Sequence, residues 1–414
     1  MKPSPERAKM PPIDRLRGDW LTLDSTQAVM AALEAARPGG SRFVGGCVRN
    51  EIRGVPIDDV DIATQIIPQG VIAALESAGV RALPTGIDHG TITAVADGRP
   101  YEITTLRRDV ETDGRRAVVA FTEDWAEDAA RRDFRLNAIY AAADGTIEEI
   151  IPGSVEDAVA GRVIFIGDAD ERLREDYLRI LRFFRFNAWY GAGVDEAGLV
   201  ACARQKDGLA KIAAERIWKE LKRLLAAPDP SSAALAMDES GVLSAILPSA
   251  QAAPLSGLVA AEQGAGLSPE PMRRLMAMLP RRLREVEAAS AALRLSNAER
   301  DRLAAWADPA LGHVAGLSGA ALSEVLYRHG AEAVRDRAMI DAAMGADPAG
   351  LRPVLAAAAE WTRPVLPVGG NDALAAGFTG PDIGAALEAV EADWIASDFT
   401  LTREQLLRRL KRPD

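Results

Sequence analysis

Two neighbouring stretches, Phe43-Val44-Gly45-Gly46-Cys47-Val48-Arg49-Asn50 and Asp59-Val60-Asp61-Ile62-Ala63-Thr64, decide how this chain is read. Asp59–Ile62 has the character of a strand. Side chains alternate faces along a strand, so Asp59 and Asp61 converge on one side while Val60 and Ile62 turn to the core and Asp58 points away. Two adjacent carboxylates repel unless a cation lies between them, and magnesium favours such hard oxygen ligands. Taken alone, Asp-x-Asp fits a solvated strand end at least as well. Its surroundings favour the metal. Ser41–Val44 reads as a short strand, and Gly45-Gly46 as a turn into a helix near Val48–Arg53. Paired glycines let backbone approach a ligand closely, and a helix start offers free N–H groups to an anion. A phosphate cradle followed by a metal-binding strand is what handling a nucleoside triphosphate requires.

Working outward, Thr91–Ala96 and Tyr101–Leu106 alternate with β-branched residues around Asp97-Gly98-Arg99-Pro100, the pattern of a hairpin. Thr146–Ile151 and Val163–Ile166 are short β-branched runs that fit the last strands of the same sheet. Helical patterns take over beyond Gly167, with one long helix expected over Glu171–Tyr190. An amphipathic helix is expected over Glu215–Ala227, its apolar face formed by Ile217, Leu221, Leu224 and Leu225. The class is therefore α+β: a mixed-sheet head followed by an all-α remainder.

Hydrophobic residues make up 48% of the 414, enough to bury a sizeable core and to exclude gross disorder. The two cysteines, Cys47 and Cys202, support neither a disulfide framework nor a cysteine-based zinc site and fit a reducing cytoplasm. No apolar run reaches membrane-spanning length, and the N-terminus lacks the apolar segment of a secretory signal. A net charge of −11 argues against indiscriminate nucleic-acid binding, because phosphate is repelled on average. Arginines nevertheless cluster locally. Arg273, Arg274, Arg281, Arg282, Arg284, Arg294, Arg300 and Arg302 fall in one stretch, and Arg403, Arg408, Arg409, Lys411 and Arg412 close the chain. Solvated helix faces and an RNA grip are both open readings of these clusters.

The sequence resembles the class II CCA-adding tRNA nucleotidyltransferase and bacterial poly(A) polymerase family. Four blocks in order carry the resemblance: the two stretches quoted above; Arg131-Arg132-Asp133-Phe134-Arg135-Leu136-Asn137-Ala138; Glu175-Asp176-Tyr177-Leu178-Arg179; and Glu215-Arg216-Ile217-Trp218-Lys219-Glu220-Leu221. The family's first block usually ends Arg-Asp where this chain has Arg49-Asn50, and its second usually has Thr at Arg135. Neither departure touches the metal carboxylates. The resemblance implies a nucleotidyltransferase head of the DNA polymerase β-like kind followed by helical neck, body and tail. With the residue patterning it suggests a flexible segment at 1–22, a catalytic head at 23–167 and a base-selecting neck at 168–205. An RNA-binding body would follow at 206–285 and a tRNA-binding tail at 286–414.

The expected site follows from the same blocks. Asp59 and Asp61 are the catalytic pair and bind Mg2+, with Glu102 on the strand Tyr101–Leu106 a candidate third metal carboxylate. Gly45, Gly46, Arg49, Arg131, Arg132, Asp133, Asn137, Asp176, Arg179 and Arg182 bind nucleotide, and Arg273, Arg274, Arg281 and Arg282 bind RNA. On one continuous helix, Asp176 and Arg179 would share a face. A carboxylate accepts and a guanidinium donates. That pair complements the amino group and ring nitrogen that cytosine and adenine both offer, and mismatches uracil and guanine.

Arg107–Phe121 reads as a polar, glycine-containing loop. In the family such a loop accompanies the shift from C to A addition and favours a full CCA-adding enzyme. The partners implied are the tRNA 3′ end, CTP and ATP, with no membrane and no protein partner. The competing readings are a poly(A) polymerase or A-only adder, and an RNA-binding module descended from the fold. His89, before a strand, reads as structural.

Overall fold

The computed structural model describes residues 13–112, 117–345 and 347–410. Nine strands are described: β1 (Ser41–Val44), β2 (Val60–Thr64), β3 (Arg81–Gly86), β4 (Thr91–Ala96), β5 (Arg99–Thr105), β6 (Arg107–Thr112), β7 (Ala117–Phe121), β8 (Ile139–Ala141) and β9 (Ile147–Glu149). Seven form one sheet in the order β3-β4-β5-β2-β1-β8-β9, and β6 pairs with β7 alone. Among the described strands only β2 and β5 run parallel, with Asp61 opposite Glu102; the other described pairs are antiparallel. The β4–β5 hairpin closes tightly because Asp97 (φ 48°) and Gly98 (φ 74°) both take the left-handed conformation that such turns need.

The helices that support the site are α1 (Asp24–Ala36), α2 (Gly46–Ile52), α3 (Pro68–Ser77), α4 (Trp125–Ala130), α5 (Ser154–Ala160), α6 (Ala169–Glu175) and α7 (Leu178–Tyr190). Beneath the sheet, Val44, Ala63, Leu106, Ala129, Ala138 and Tyr140 form one buried cluster. Phe134, Phe165, Phe183 and Phe186 form another, with Phe134 4.9 Å from Phe165 and 5.2 Å from Phe186 between ring centroids. The second cluster fixes α7 against the Arg131–Ala138 segment by burying several aromatic faces at once.

The chain divides into two compact units, one of residues 1–213 with 239–245, the other of residues 214–238 with 246–414. All described strands belong to the first unit. In the second, the helix Ala214–Leu225 buries Ile217, Leu221, Leu224 and Leu225 on one face, as its pattern predicts.

Several expectations are corrected. Residues 13–22 are anchored: Leu16 and Leu21 are buried, and Arg15 pairs with Asp144 at 2.7 Å. Residues 1–12 lie outside the described residues. Val163–Ile166 forms no strand, only an isolated bridge between Phe165 and Phe134. The long helix over Glu171–Tyr190 is two helices, broken at Asp176, whose backbone is extended (φ −151°). The expected loop Arg107–Phe121 is the β6–β7 hairpin, because Val118 and Val119 give its second arm strand character. The tip of that hairpin, residues 113–116, lies outside the described residues.

Candidate active site

Asp61 stands on β2 with its carboxylate half-buried, and Asp59 is exposed one residue before the strand begins. Glu102, exposed on β5, registers directly opposite Asp61 and so shares its face of the sheet. Burial, then Glu102 and Asp59, push the Asp61 carboxyl up to about 6, while Arg132 and Arg49 oppose the rise. Burial is the largest cause, and the acidic neighbours add a repulsion that a cation at this edge would relieve.

The glycine turn lies against this carboxylate. Gly45 has φ 71° and ψ −117°, a conformation closed to side-chain-bearing residues. A Cβ placed there would lie 3.7 Å from Arg132 Nη1 and 3.9 Å from Asp61 Oδ2. At Gly46 it would lie 3.8 Å from Asp61 Oδ2 and 3.9 Å from Arg49 Nη2. One carboxylate and two guanidinium groups thus border a bare stretch of backbone. Behind it, Cys47 donates to the Val44 carbonyl at 3.4 Å. Burial, reinforced by the charge of Asp61, raises its pKa to about 12, so it stays a thiol.

Arg131 and Arg132 both lean on Asp128, at 2.5 and 3.0 Å, and Tyr140 donates its hydroxyl to the same carboxylate at 2.8 Å. Burial alone would raise the Asp128 pKa; the two guanidinium groups and the phenol overcome this and hold it near 2. Arg131 also donates to the Arg107 carbonyl at 3.0 Å. Of the two, Arg132 is the one that reaches the glycine turn.

Asp133 is buried, and its four acceptor positions are filled. Oδ1 accepts from the Phe134 N–H at 2.9 Å and from Asn137 Nδ2 at 3.0 Å, and Oδ2 accepts twice from Arg182, at 2.8 and 2.5 Å. Against its own burial these partners hold the Asp133 pKa near 2, with Arg182 the strongest. Asp133 therefore organises Asn137 and Arg182.

The Asp176–Arg179 segment departs from expectation. Asp176 sits at the helix break and its Oδ1 accepts from the Leu178 N–H at 3.0 Å, just ahead of the first turn of α7. Arg179 pairs with Glu175 at 2.5 Å and donates to the carbonyls of Arg172 (2.8 Å) and Arg131 (3.2 Å). Asp176 lies outside α7 and Arg179 in its first turn, so the two side chains do not share a helical face.

The expected RNA-binding arginines divide. Arg273 and Arg274 are buried, 4% and 1% exposed, so RNA cannot reach them. Arg273 pairs with Asp336 at 3.0 Å and Arg274 with Glu262 at 2.9 Å. Arg274 also donates to the Leu225 carbonyl at 2.6 Å and to that of Ala227. Arg281 is committed to the carbonyls of Trp306 (2.9 Å), Asp308 (2.5 Å) and Leu311. Arg282 and Arg284 are exposed. Lys411 and Arg412 lie outside the described residues. Sequence reasoning overlooked Asp128, although its position three and four residues before Arg131 and Arg132 is a readable ion-pair spacing.

Comparison with known proteins agrees with this geometry. Residues 41–164 match the poly A polymerase head domain, and residues 194–253 match a probable RNA and SrmB-binding site of polymerase A. The mitochondrial CCA tRNA nucleotidyltransferase 1 of Mus musculus is 34% identical over 388 residues, covering 90% of this chain and 86% of that protein. The chain belongs to the CCA tRNA nucleotidyltransferase family. The Homo sapiens protein of the same name is 47% identical over 191 residues, covering 44% of this chain and 43% of its own. A Bacillus stearothermophilus CCA-adding enzyme in complex with CTP has the same fold. It matches with a TM-score of 0.69 at 25% identity, over 94% of this chain and 97% of that one. The chain is thus an enzyme, a nucleotidyltransferase of a family that uses divalent metal.

Among the described residues, no three His, Cys, Asp or Glu side chains are grouped so that they alone could hold a metal ion. Asp61 and Glu102 face the same side of the sheet and Asp59 acts on Asp61 through space, an open acidic edge that suits an ion sharing its coordination sphere with phosphate oxygens. No described helix is long and apolar enough to cross a membrane.

Proposed function

We propose that this chain adds C, C and A to tRNA 3′ ends from CTP and ATP without a template, releasing pyrophosphate. The reading is carried by the convergence of Asp61, Arg49 and Arg132 on the Gly45-Gly46 turn, in a chain with an extensive match to a CCA-adding relative. Asp59 and Asp61 hold Mg2+, with Glu102 on the same face. When bound, the ion neutralises triphosphate charge and lowers the pKa of the attacking hydroxyl. Arg132 and Arg49 bind the phosphates at the glycine turn, with Arg131 bracing Arg132 through Asp128. Asn137 faces the ribose, held by Asp133. Asp176 and Arg179 at the start of α7 read the base edge, and Arg182 anchors that helix. Arg282 is retained as an exposed RNA contact. The head, neck, body and tail boundaries at 167/168, 205/206 and 285/286 belong to the same proposal. A cytoplasmic location fits the two unpaired, buried cysteines.

The test supplies labelled CTP or ATP with three acceptors: tRNA ending at the discriminator base, tRNA ending in CC, and oligo(A). The expected result is two C and one A on the first acceptor and one A on the second. Long A tails on oligo(A) would instead identify a poly(A) polymerase, and no incorporation would leave an RNA-binding module.

A further inference from the structure

Asp128 lies outside the four blocks that carry the resemblance, yet it holds together more of the site than any residue within them. It sits on α4, 1% exposed. Its Oδ1 accepts from Arg131 Nε at 2.9 Å and Nη2 at 2.5 Å. Its Oδ2 accepts from Arg132 Nε at 3.3 Å, Arg132 Nη2 at 3.0 Å and the Tyr140 hydroxyl at 2.8 Å. The two guanidinium groups then leave in different directions. Arg132 has Nε and Nη2 taken by Asp128, and its Nη1 is turned to the Asn137 carbonyl (3.5 Å) and the glycine turn, 3.7 Å from a Cβ placed on Gly45. Arg131 Nε is shared with the Arg107 carbonyl at 3.0 Å, and the Arg107 N–H reaches Asp128 Oδ1 at 3.4 Å. Arg107 is the first residue of β6.

Among the described strands, β6 and β7 pair only with each other. A two-stranded ribbon has little stability of its own, so its orientation is set where it is rooted. That root is Arg107, gripped through its N–H by Asp128 and through its carbonyl by Arg131, with the Thr122 N–H closing onto the Leu106 carbonyl at 2.9 Å. The backbone of the same arginine pair carries α6 and α7 contacts: Arg131 accepts from Arg179 Nη2 at 3.2 Å and Arg132 from Arg172 Nη2 at 3.1 Å. Charge-assisted bonds on a buried carboxylate are short and directional, and such a network moves as a unit. A displacement of Arg132 therefore reaches the hairpin root through a single side chain.

We propose that Asp128 is a positioning residue that couples the β6–β7 hairpin to Arg132, so that occupancy of the glycine turn is felt at the hairpin root. The inference rests on the nucleotide-binding reading of Arg132 above. Asp128→Asn keeps the shape, removes the charge that both guanidinium groups share, and presents an amide donor to groups that are themselves donors. Arg131→Gln cuts the arm to Arg107 and leaves the Arg132–Asp128 pair in place.

The test measures amide hydrogen exchange in β6 and β7 of the full-length protein, free and saturated with CTP, alongside the CTP Kd and the KM and kcat with tRNA ending at the discriminator base. In the wild type, CTP is expected to slow exchange there about threefold or more. Asp128→Asn is expected to raise the CTP Kd and KM about tenfold and to abolish the slowing even at saturating CTP. Arg131→Gln should also abolish the slowing, with a smaller rise in the CTP Kd than in Asp128→Asn. A merely structural role for Asp128 would speed exchange equally with and without CTP and leave the response to CTP in place. Slowing that persists in either folded variant, or that is absent from a wild type that binds CTP, overturns the proposal. Should Asp128→Asn fail to fold, Arg131→Gln decides. A wild type that neither binds CTP nor extends tRNA would instead sink the functional reading, so the two failures are distinguishable.

Discussion

Arginines in the two units are buried for opposite ends. Arg273 and Arg274 in the helical unit are enclosed by Glu262, Asp336 and backbone carbonyls, and Arg302 joins them through Asp336 at 2.8 Å and Glu270 at 2.7 Å. Charge is matched there and nothing is left to offer. Arg49 in the sheet-containing unit is as well buried but is held by two asparagines and a tyrosine. A run of arginines in a sequence therefore carries little information about binding; the charge of the partners carries it. A matched network specifies packing.

The contrast can be broken in graded steps. The largest effect is expected from Asp61→Asn, which removes the acidic face that Arg49 and Arg132 border. Nucleotide incorporation should fall about a thousandfold or more while tRNA affinity is retained. Full activity in that variant would end the metal assignment. Next comes Arg274→Ala, which removes the nearer of the two arginine partners of buried Glu262 and the donor to the Leu225 and Ala227 carbonyls. It should cost about 3–5 kcal/mol of stability, seen as an earlier denaturant transition, with tRNA affinity unchanged under folding conditions. A loss of tRNA binding without a loss of stability would return Arg274 to the RNA interface.

A third step is acid titration. Asp133 titrates near 2 in the folded chain, below the ordinary carboxylate value of about 3.8. A depressed carboxylate contributes stability that is fully present above the ordinary value and is lost as pH falls toward 2. The contribution is about 2 kcal/mol. Comparing wild type with Asp133→Asn from pH 5 to pH 2 should show the wild type losing this advantage as the pH drops. Parallel stability curves would refute the coupling. The smallest effect belongs to Arg282→Ala. Exposed and without an ion-pair partner among the described residues, Arg282 should change stability by under about 0.5 kcal/mol. If it touches RNA, its loss should reduce the salt slope of tRNA binding by roughly one contact.

The parts of this molecule legible in its sequence are those set by local rules. The Gly45-Gly46 turn and the alternation of Asp59-Val60-Asp61 follow from backbone geometry within a few residues, and β1, β2 and the β4–β5 hairpin appear close to where alternation puts them. The break between α6 and α7 was not legible, because neither proline nor glycine marks it. It is held by the Asp176 side chain bonding the Leu178 N–H, and by Arg179 reaching back to Arg172 and across to Arg131. The fate of Arg273 and Arg274 was hidden for a different reason. Their partners Glu262 and Asp336 lie 11 to 63 residues away in the chain, and no local pattern announces such a meeting. Strand β3 escaped notice because Pro84 and the lack of apolar alternation disguise an edge strand, where proline is tolerated.

Hydrogen bonds run from Arg182 on α7 through Asp133, Asn137 and Arg49 back to Tyr190, the last residue of α7, and this loop has a practical corollary for protein engineers. A graft of this helix from a relative would carry the start of α7, proposed above to read the base, but would cut the loop at both of its junctions. A chimera that keeps working should need Arg49, Asn50, Asp133 and Asn137 transplanted with the helix as one cassette, although those four residues are scattered between the glycine turn and the second arginine-rich block. The hydrogen-bonded set is therefore poorly suited to single-segment exchange.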